Sequence, residues 1–130
     1  MTFTEIQTEF ALCKTWEESY RLLIKLSRTL PKPSESELAE LPEIHGCESR
    51  LWFKFQPNPR QIVAYSDARL MQGLLSVVIA LVEEKSDEEL KNLDLQAVFN
   101  ELKIAKNLTS TRLNGVGKIG EVIRQMFLAK

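Results

Sequence analysis

Cys47 stands in the run Ile44-His45-Gly46-Cys47-Glu48-Ser49-Arg50-Leu51-Trp52, with a histidine two residues before it and an arginine three after. A thiol reacts as its thiolate, and a neighbouring cation or backbone donors lower its pKa toward neutrality. The run places such groups within reach of one sulfur. The ordinary fate of a free cysteine is a small buried apolar position. A glycine-containing loop just before a strand argues for reactivity instead. Cys13, in Ala11-Leu12-Cys13-Lys14, lies near the end of a helical segment and reads as structural. His45 is either a general base or a residue that holds the loop by a hydrogen bond. As the one histidine of the chain, it fits the second role better.

Other chemistries fall short on count or spacing. Two cysteines and one histidine offer no ligand pair at zinc spacing beyond His45 and Cys47. An iron–sulfur cluster calls for several thiolates. A cysteine hydrolase pairs its nucleophile with a histidine oriented by a third group, and His45 is too near in sequence for easy geometry. Gly115-Val116-Gly117-Lys118 lacks the rest of a phosphate loop and the strand before it. The acidic runs Glu83-Glu84 and Asp87-Glu88-Glu89 read as solvated helix ends. With 17 basic and 18 acidic residues, the 130-residue chain has no polybasic block, so no nucleic-acid partner is expected. The start carries neither a basic nor an apolar leader region, and the apolar run from Leu74 to Val82 is too short to span a bilayer. A single domain over 1–130, in the cytoplasm and away from membranes, is the expectation.

The elements that must position Cys47 are mostly helical. Phe3, Ile6, Phe10 and Ala11 share one face of a first helix, capped by Thr2 or Thr4. Thr15-Trp16-Glu17-Glu18 predicts a capping box and a second helix running to Leu30, stopped by Pro31. Ser34 caps a short helix to Glu40. Leu51, Phe53 and Phe55 alternate with Trp52, Lys54 and Gln56 at the two-residue period of a strand. Pro57 to Arg60 then form a loop, and Gln61 to Tyr65 return as the second strand of a hairpin. Ser66-Asp67 offers caps for a helix from Ala68 to Glu83 that is apolar nearly all round and so packs on more than one neighbour. Ser86, Asp94, and Thr109 or Ser110 open three further helices. Gly115, Gly117 and Gly120 in the last one cost about 1 kcal/mol each relative to alanine, for which close approach of another backbone is a reason. Helices around a small antiparallel sheet make an α+β domain.

Three segments resemble the signatures of the SufE family, the sulfur-acceptor partners of cysteine desulfurases. They are Gly46-Cys47-Glu48-Ser49-Arg50-Leu51-Trp52, Ser66-Asp67-Ala68-Arg69 with Gly73-Leu74-Leu75, and Ser110-Thr111-Arg112-Leu113-Asn114-Gly115. Trp16 to Arg21 and Leu30-Pro31 are similar to the family's first long helix, so the resemblance spans essentially the whole chain. The arginine after Cys47-Glu48-Ser49 looks nearer to the CsdE branch than to SufE proper. The short loop Pro57 to Arg60 departs from the family and puts any partner contact there in doubt. The resemblance implies a fold similar to the U-type iron–sulfur scaffolds. It implies a Cys47 persulfide taken from a desulfurase of the SufS or CsdA type, whose pyridoxal phosphate resides in that partner. A downstream sulfur acceptor would follow, with no cofactor or metal in this chain. His45, Gly46, Glu48, Ser49, Arg50, Asp67, Arg112 and Asn114 are then the candidates for stabilising the thiolate or touching the partner. For Arg112 the plainer reading is a surface charge near a helix start. The alternative for the whole chain is an adaptor that binds a desulfurase without using Cys47.

Overall fold

A computed structural model describes residues 1–45 and 49–128. Gly46, Cys47 and Glu48 lie outside the described residues. The elements in order are α1 (Phe3–Leu12), α2 (Trp16–Ser27), α3 (Glu35–Glu40), β1 (Leu51–Pro57), β2 (Arg60–Ser66), α4 (Arg69–Glu84), α5 (Asp87–Lys91), α6 (Leu95–Glu101), a 3-10 turn (Ala105–Asn107) and α7 (Ser110–Leu128). The α+β expectation holds.

The two strands pair antiparallel from Leu51↔Ser66 to Pro57↔Arg60. Leu51, Phe53 and Phe55 on β1 and Ala64 on β2 put one face of the hairpin into the core, where α7 packs on β1 and α4 on β2. Pro57 needs no N–H as the last residue of its strand. Hence β1 runs into the predicted loop, and only Asn58 and Pro59 turn the chain, across a cis peptide bond. Arg60 then reaches past the sheet. Its guanidinium donates to the carbonyls of Val82 and Lys85 and to the Asp87 carboxylate, tying the hairpin to the joint between α4 and α5.

Helix α4 is the central post, buried from Met71 through Val78. It crosses α2 so closely that a Cβ on Gly73 would lie 2.3 Å from the Leu23 carbonyl oxygen. The close backbone approach expected of the α7 glycines is found here instead. At Gly117 and Gly120 an added Cβ meets the side chains of Gln96, Arg124 and Leu95. Helix α2 also stops at Ser27 rather than Leu30. The Leu26 carbonyl is taken by the Thr29 N–H, the Thr29 hydroxyl and the buried Ser76 hydroxyl of α4, at 3.0, 2.7 and 2.9 Å. Hydroxyls that compete for the last carbonyls end a helix before its apolar period does.

Capping follows the sequence where it is local. Thr2, Ser34 and Ser86 make full capping boxes with Glu5, Glu37 and Glu89, and Asp94 caps α6. Thr109 Oγ1 accepts from the Arg112 N–H at 3.3 Å and so opens α7. Thr15 accepts from the Glu18 N–H, but the Glu18 carboxylate accepts from Lys14 N–H, so the expected box is half formed. Ala11 is exposed. Ser66 and Asp67 do not cap α4, whose N-cap residue is Ala68. Both are occupied by the segment that follows Cys47.

Candidate functional site

The chain on either side of residues 46–48 is fixed by short-range bonds to a rigid frame. Before it, the Ile44 N–H donates to the Leu51 carbonyl at 2.8 Å and the Phe53 N–H to the Pro42 carbonyl at 3.0 Å. Glu43 thereby bridges Trp52 antiparallel, on the edge of β1 that β2 leaves open. The two flanks are thus drawn together at the end of the sheet. Pro42, two residues beyond the end of α3, is the acceptor on this edge.

After it, Arg50 is held from both sides. Its N–H donates to Asp67 Oδ1 at 3.1 Å, and its carbonyl accepts from the Ser66 hydroxyl at 2.7 Å and the Asp67 N–H at 3.4 Å. The Ser49 hydroxyl lies 3.4 Å from Ser66 Oγ. Ser66 is itself fixed, because its N–H donates to Gln72 Oε1 at 2.8 Å from within α4. Ser66 and Asp67 therefore serve the returning flank of the Cys47 segment. Ser66 Oγ also accepts from the N–H of Ala68, the N-cap residue, at 3.3 Å, but no side chain caps the first turn of α4 itself.

Arg50 is a paired cation. Nε and an NH2 group donate to the two carboxylate oxygens of Glu43 at 3.1 Å each, a bidentate fork. The guanidinium also lies 4.6 Å over the Trp52 ring. The hydrogen bonding between them holds the Glu43 carboxyl below the usual range and pushes Arg50 up. Trp52 points to the outer face of the sheet, yet is only 7 % exposed, because Arg50 covers it and Tyr65 stacks on it at 5.9 Å. Strict in-out alternation fails at this residue because a side chain supplies the roof.

The other flank is held by a residue that sequence reasoning missed. Lys118 Nζ on α7 donates to the His45 carbonyl. The imidazole of exposed His45 has no hydrogen-bond partner among the described residues. His45 therefore holds the loop through its main chain. Lys118 also lines a groove of about 810 Å³ between α7 and residues 91–96, next to Asn114, Glu121 and Arg124. Asn114 faces that groove, and Gln96 Nε2 crosses it to the Leu113 carbonyl at 3.1 Å. Arg112, two residues earlier, lies about 200° away around the helix. It is half-buried, with its Nε inside the protein.

The structure thus brings His45, Ser49, Arg50 and Asp67 to one place and sets Asn114 beside Lys118. Gly46, Cys47 and Glu48, also proposed for this site, lie outside the described residues. Glu43, Lys118 and Gln72 are additions. The spacing of Asn114, Lys118 and Glu121 on one helical face was a usable signal for Lys118; nothing local marks Glu43. Cys13 ends α1 half-buried, its thiol donating to the Glu9 carbonyl at 3.5 Å.

Residues 4–127 match the model of the SufE family, described as an Fe-S metabolism associated domain. The chain is 40 % identical over 116 residues to a SufE-like protein of Haemophilus influenzae, covering 87 % of this chain and 92 % of that one. A solution structure of a hypothetical protein from Thermus thermophilus superposes with a TM-score of 0.73 over 98 % of this chain and 99 % of its own, at 14 % identity. That last likeness speaks to the fold alone.

Proposed function

Because this chain belongs to the SufE family, with a sulfur-transfer role alongside cysteine desulfurases in Fe–S metabolism, we propose that Cys47 is the sulfur-accepting thiol. The Cys47 thiolate attacks the terminal sulfur of a persulfide on the desulfurase. A new sulfur–sulfur bond forms on Cys47, the old one breaks, and the desulfurase cysteine leaves as a thiolate. No external oxidant or reductant enters, as in thiol–disulfide exchange. The persulfide is then handed to a downstream acceptor. The partner is a desulfurase of the SufS or CsdA type that carries its own pyridoxal phosphate, and this chain acts as a single cytoplasmic domain with no resident cofactor.

The observation that supports this reading best is the double anchoring of the flanks. Ile44 and Leu51 pin the base of the segment, while Asp67, Ser66 and Glu43 hold Arg50. A carrier needs its sulfur delivered from a defined place, and a short segment on a fixed base meets that need. With its charge committed to Glu43, Arg50 acts as a positioning residue; Lys118 does the same through His45.

Intact-mass and peptide analysis after incubation with a desulfurase, cysteine and pyridoxal phosphate tests the assignment. One added sulfur atom is expected on the peptide containing Cys47. It should be lost in Cys47→Ser and kept in Cys13→Ser. Sulfur found on Cys13 alone, or on neither, refutes the proposal. Desulfurase stimulation that survives Cys47→Ser would identify an adaptor instead.

A further inference from the structure

Ser66 closes β2 with its N–H turned away from β1. Its partner in the ladder, Leu51, gives its carbonyl to the Ile44 N–H, so the Leu51↔Ser66 pair exchanges no backbone bonds of its own. The Ser66 N–H therefore lies on the open edge of the hairpin, and the residue is buried. A buried donor left unpaired there would be costly. Gln72, six residues on and itself buried within α4, returns its Oε1 to that N–H at 2.8 Å.

The bond reaches beyond the sheet edge. Ser66 Oγ donates to the Arg50 carbonyl at 2.7 Å and lies 3.4 Å from the Ser49 hydroxyl. A relay thus runs from the central helix through Ser66 to the two described residues that follow Cys47 and Glu48. Its root is firm. The Gln72 N–H donates to the Ala68 carbonyl at 2.9 Å, and the Gln72 carbonyl accepts from the buried Ser76 hydroxyl at 3.1 Å. On the opposite flank, the side chain that reaches His45 is the exposed Lys118 ammonium.

The start of α4 shows what this arrangement forgoes. A serine and an aspartate just ahead of a helix ordinarily cap its first turn, yet no side chain caps this one. Asp67 Oδ1 takes the Arg50 N–H instead, and Ser66 Oγ takes the Arg50 carbonyl. Local stability surrendered with no return in packing marks a functional demand.

We propose that Gln72 is a positioning residue for sulfur transfer, fixing from within α4 the point at which the Cys47 segment rejoins the sheet. It acts through Ser66, and the inference rests on Cys47 being the sulfur acceptor.

Single-turnover transfer from a persulfide-loaded desulfurase, followed by peptide mass analysis, tests the assignment. It reads separately the rate of sulfur arrival on Cys47 in the saturated complex and the half-saturating desulfurase concentration. Gln72→Met keeps the bulk and removes the acceptor. It should lower the saturated rate by about three- to tenfold with half-saturation unchanged. Gln72→Glu keeps the acceptor oxygen and should restore most of that rate. Ser66→Ala breaks the relay at its next link and should be slowed alike, and the double variant should be no slower than the slower single one. Ile6→Val, a core change on α1 outside the relay, should lower the unfolding temperature and leave the saturated rate as it is. Wild-type saturated rate in Gln72→Met, a glutamate variant no faster than the methionine one, or additive losses in the double variant overturns the proposal while Cys47 stands as acceptor. Were Gln72→Met not to fold, Ser66→Ala transferring at the wild-type rate would overturn it equally. Wild-type protein that gains sulfur elsewhere than on Cys47 overturns the underlying reading as well.

Discussion

Arg50 commits its charge to Glu43, and this alters what the residue can do for a nearby thiol. A guanidinium already in a bidentate fork over an indole ring orients its own main chain more than it supplies a free positive field. Glu43→Gln and Arg50→Met are therefore expected to slow sulfur transfer several-fold while leaving thermal unfolding nearly unchanged, because exposed ion pairs add little stability. The double variant should be no slower than either single one, since the two residues act as a unit. Additive losses in a double-mutant cycle would show that they act separately. The sequence marks Arg50 by its place after Cys47, but its partner lies seven residues back across the loop. Only the antiparallel return of the chain brings Glu43 within reach.

Elements were legible where their causes are local. Ser34-to-Glu37 and Ser86-to-Glu89 announce their capping boxes because donor and acceptor lie three residues apart. The end of α2 was not legible, since the hydroxyl of Ser76 that competes for the Leu26 carbonyl comes from fifty residues away. Gly73 was equally silent: a glycine inside an apolar helical run shows no sign of a crossing helix. Its Cβ would overlap the Leu23 carbonyl, and backbone cannot move aside as a side chain tip can. Gly73→Ala is thus expected to destabilise the protein by about 1–3 kcal/mol, despite alanine's better helix propensity. Gly117→Ala, facing only the Gln96 side chain, should be neutral or stabilising. Urea unfolding of both variants checks the contrast, and equal effects would contradict the assigned crossing.

At the scale of the molecule, several carboxylates are favoured in their ionised form by the folded chain. Backbone and hydroxyl donors of Thr2, Ser34 and Ser86 hold Glu5, Glu37 and Glu89 below the ordinary glutamate range, and Arg50 does the same for Glu43. A depressed folded-state pKa gives stability that is complete above the unfolded value and disappears as pH falls through the folded one. Unfolding free energy is therefore expected to be flat near neutrality and to fall with acidification below the ordinary glutamate range. Glu37→Gln should flatten that fall, and a profile unchanged by the substitution would assign the acid sensitivity elsewhere. The architecture of helices around a hairpin was readable from period and punctuation. The shared base of the Cys47 segment was not, because it joins Pro42, Asp67 and Lys118 through contacts that no local pattern encodes.

The hydrogen bond from Ile44 to Leu51 has a consequence for reach. It closes a ring over residues 45 to 50, so the sheet beneath registers where that ring begins and ends rather than how far it extends. Doubling the length of such a ring costs only about 0.6 kcal/mol of closure entropy. Each added residue lengthens the contour by about 3.3 Å, of which half, about 1.7 Å, projects outward. For a sulfur carried on Cys47 as proposed, reach is therefore a dimension that this scaffold can vary by insertion, with Glu43, Asp67 and Lys118 left as they are.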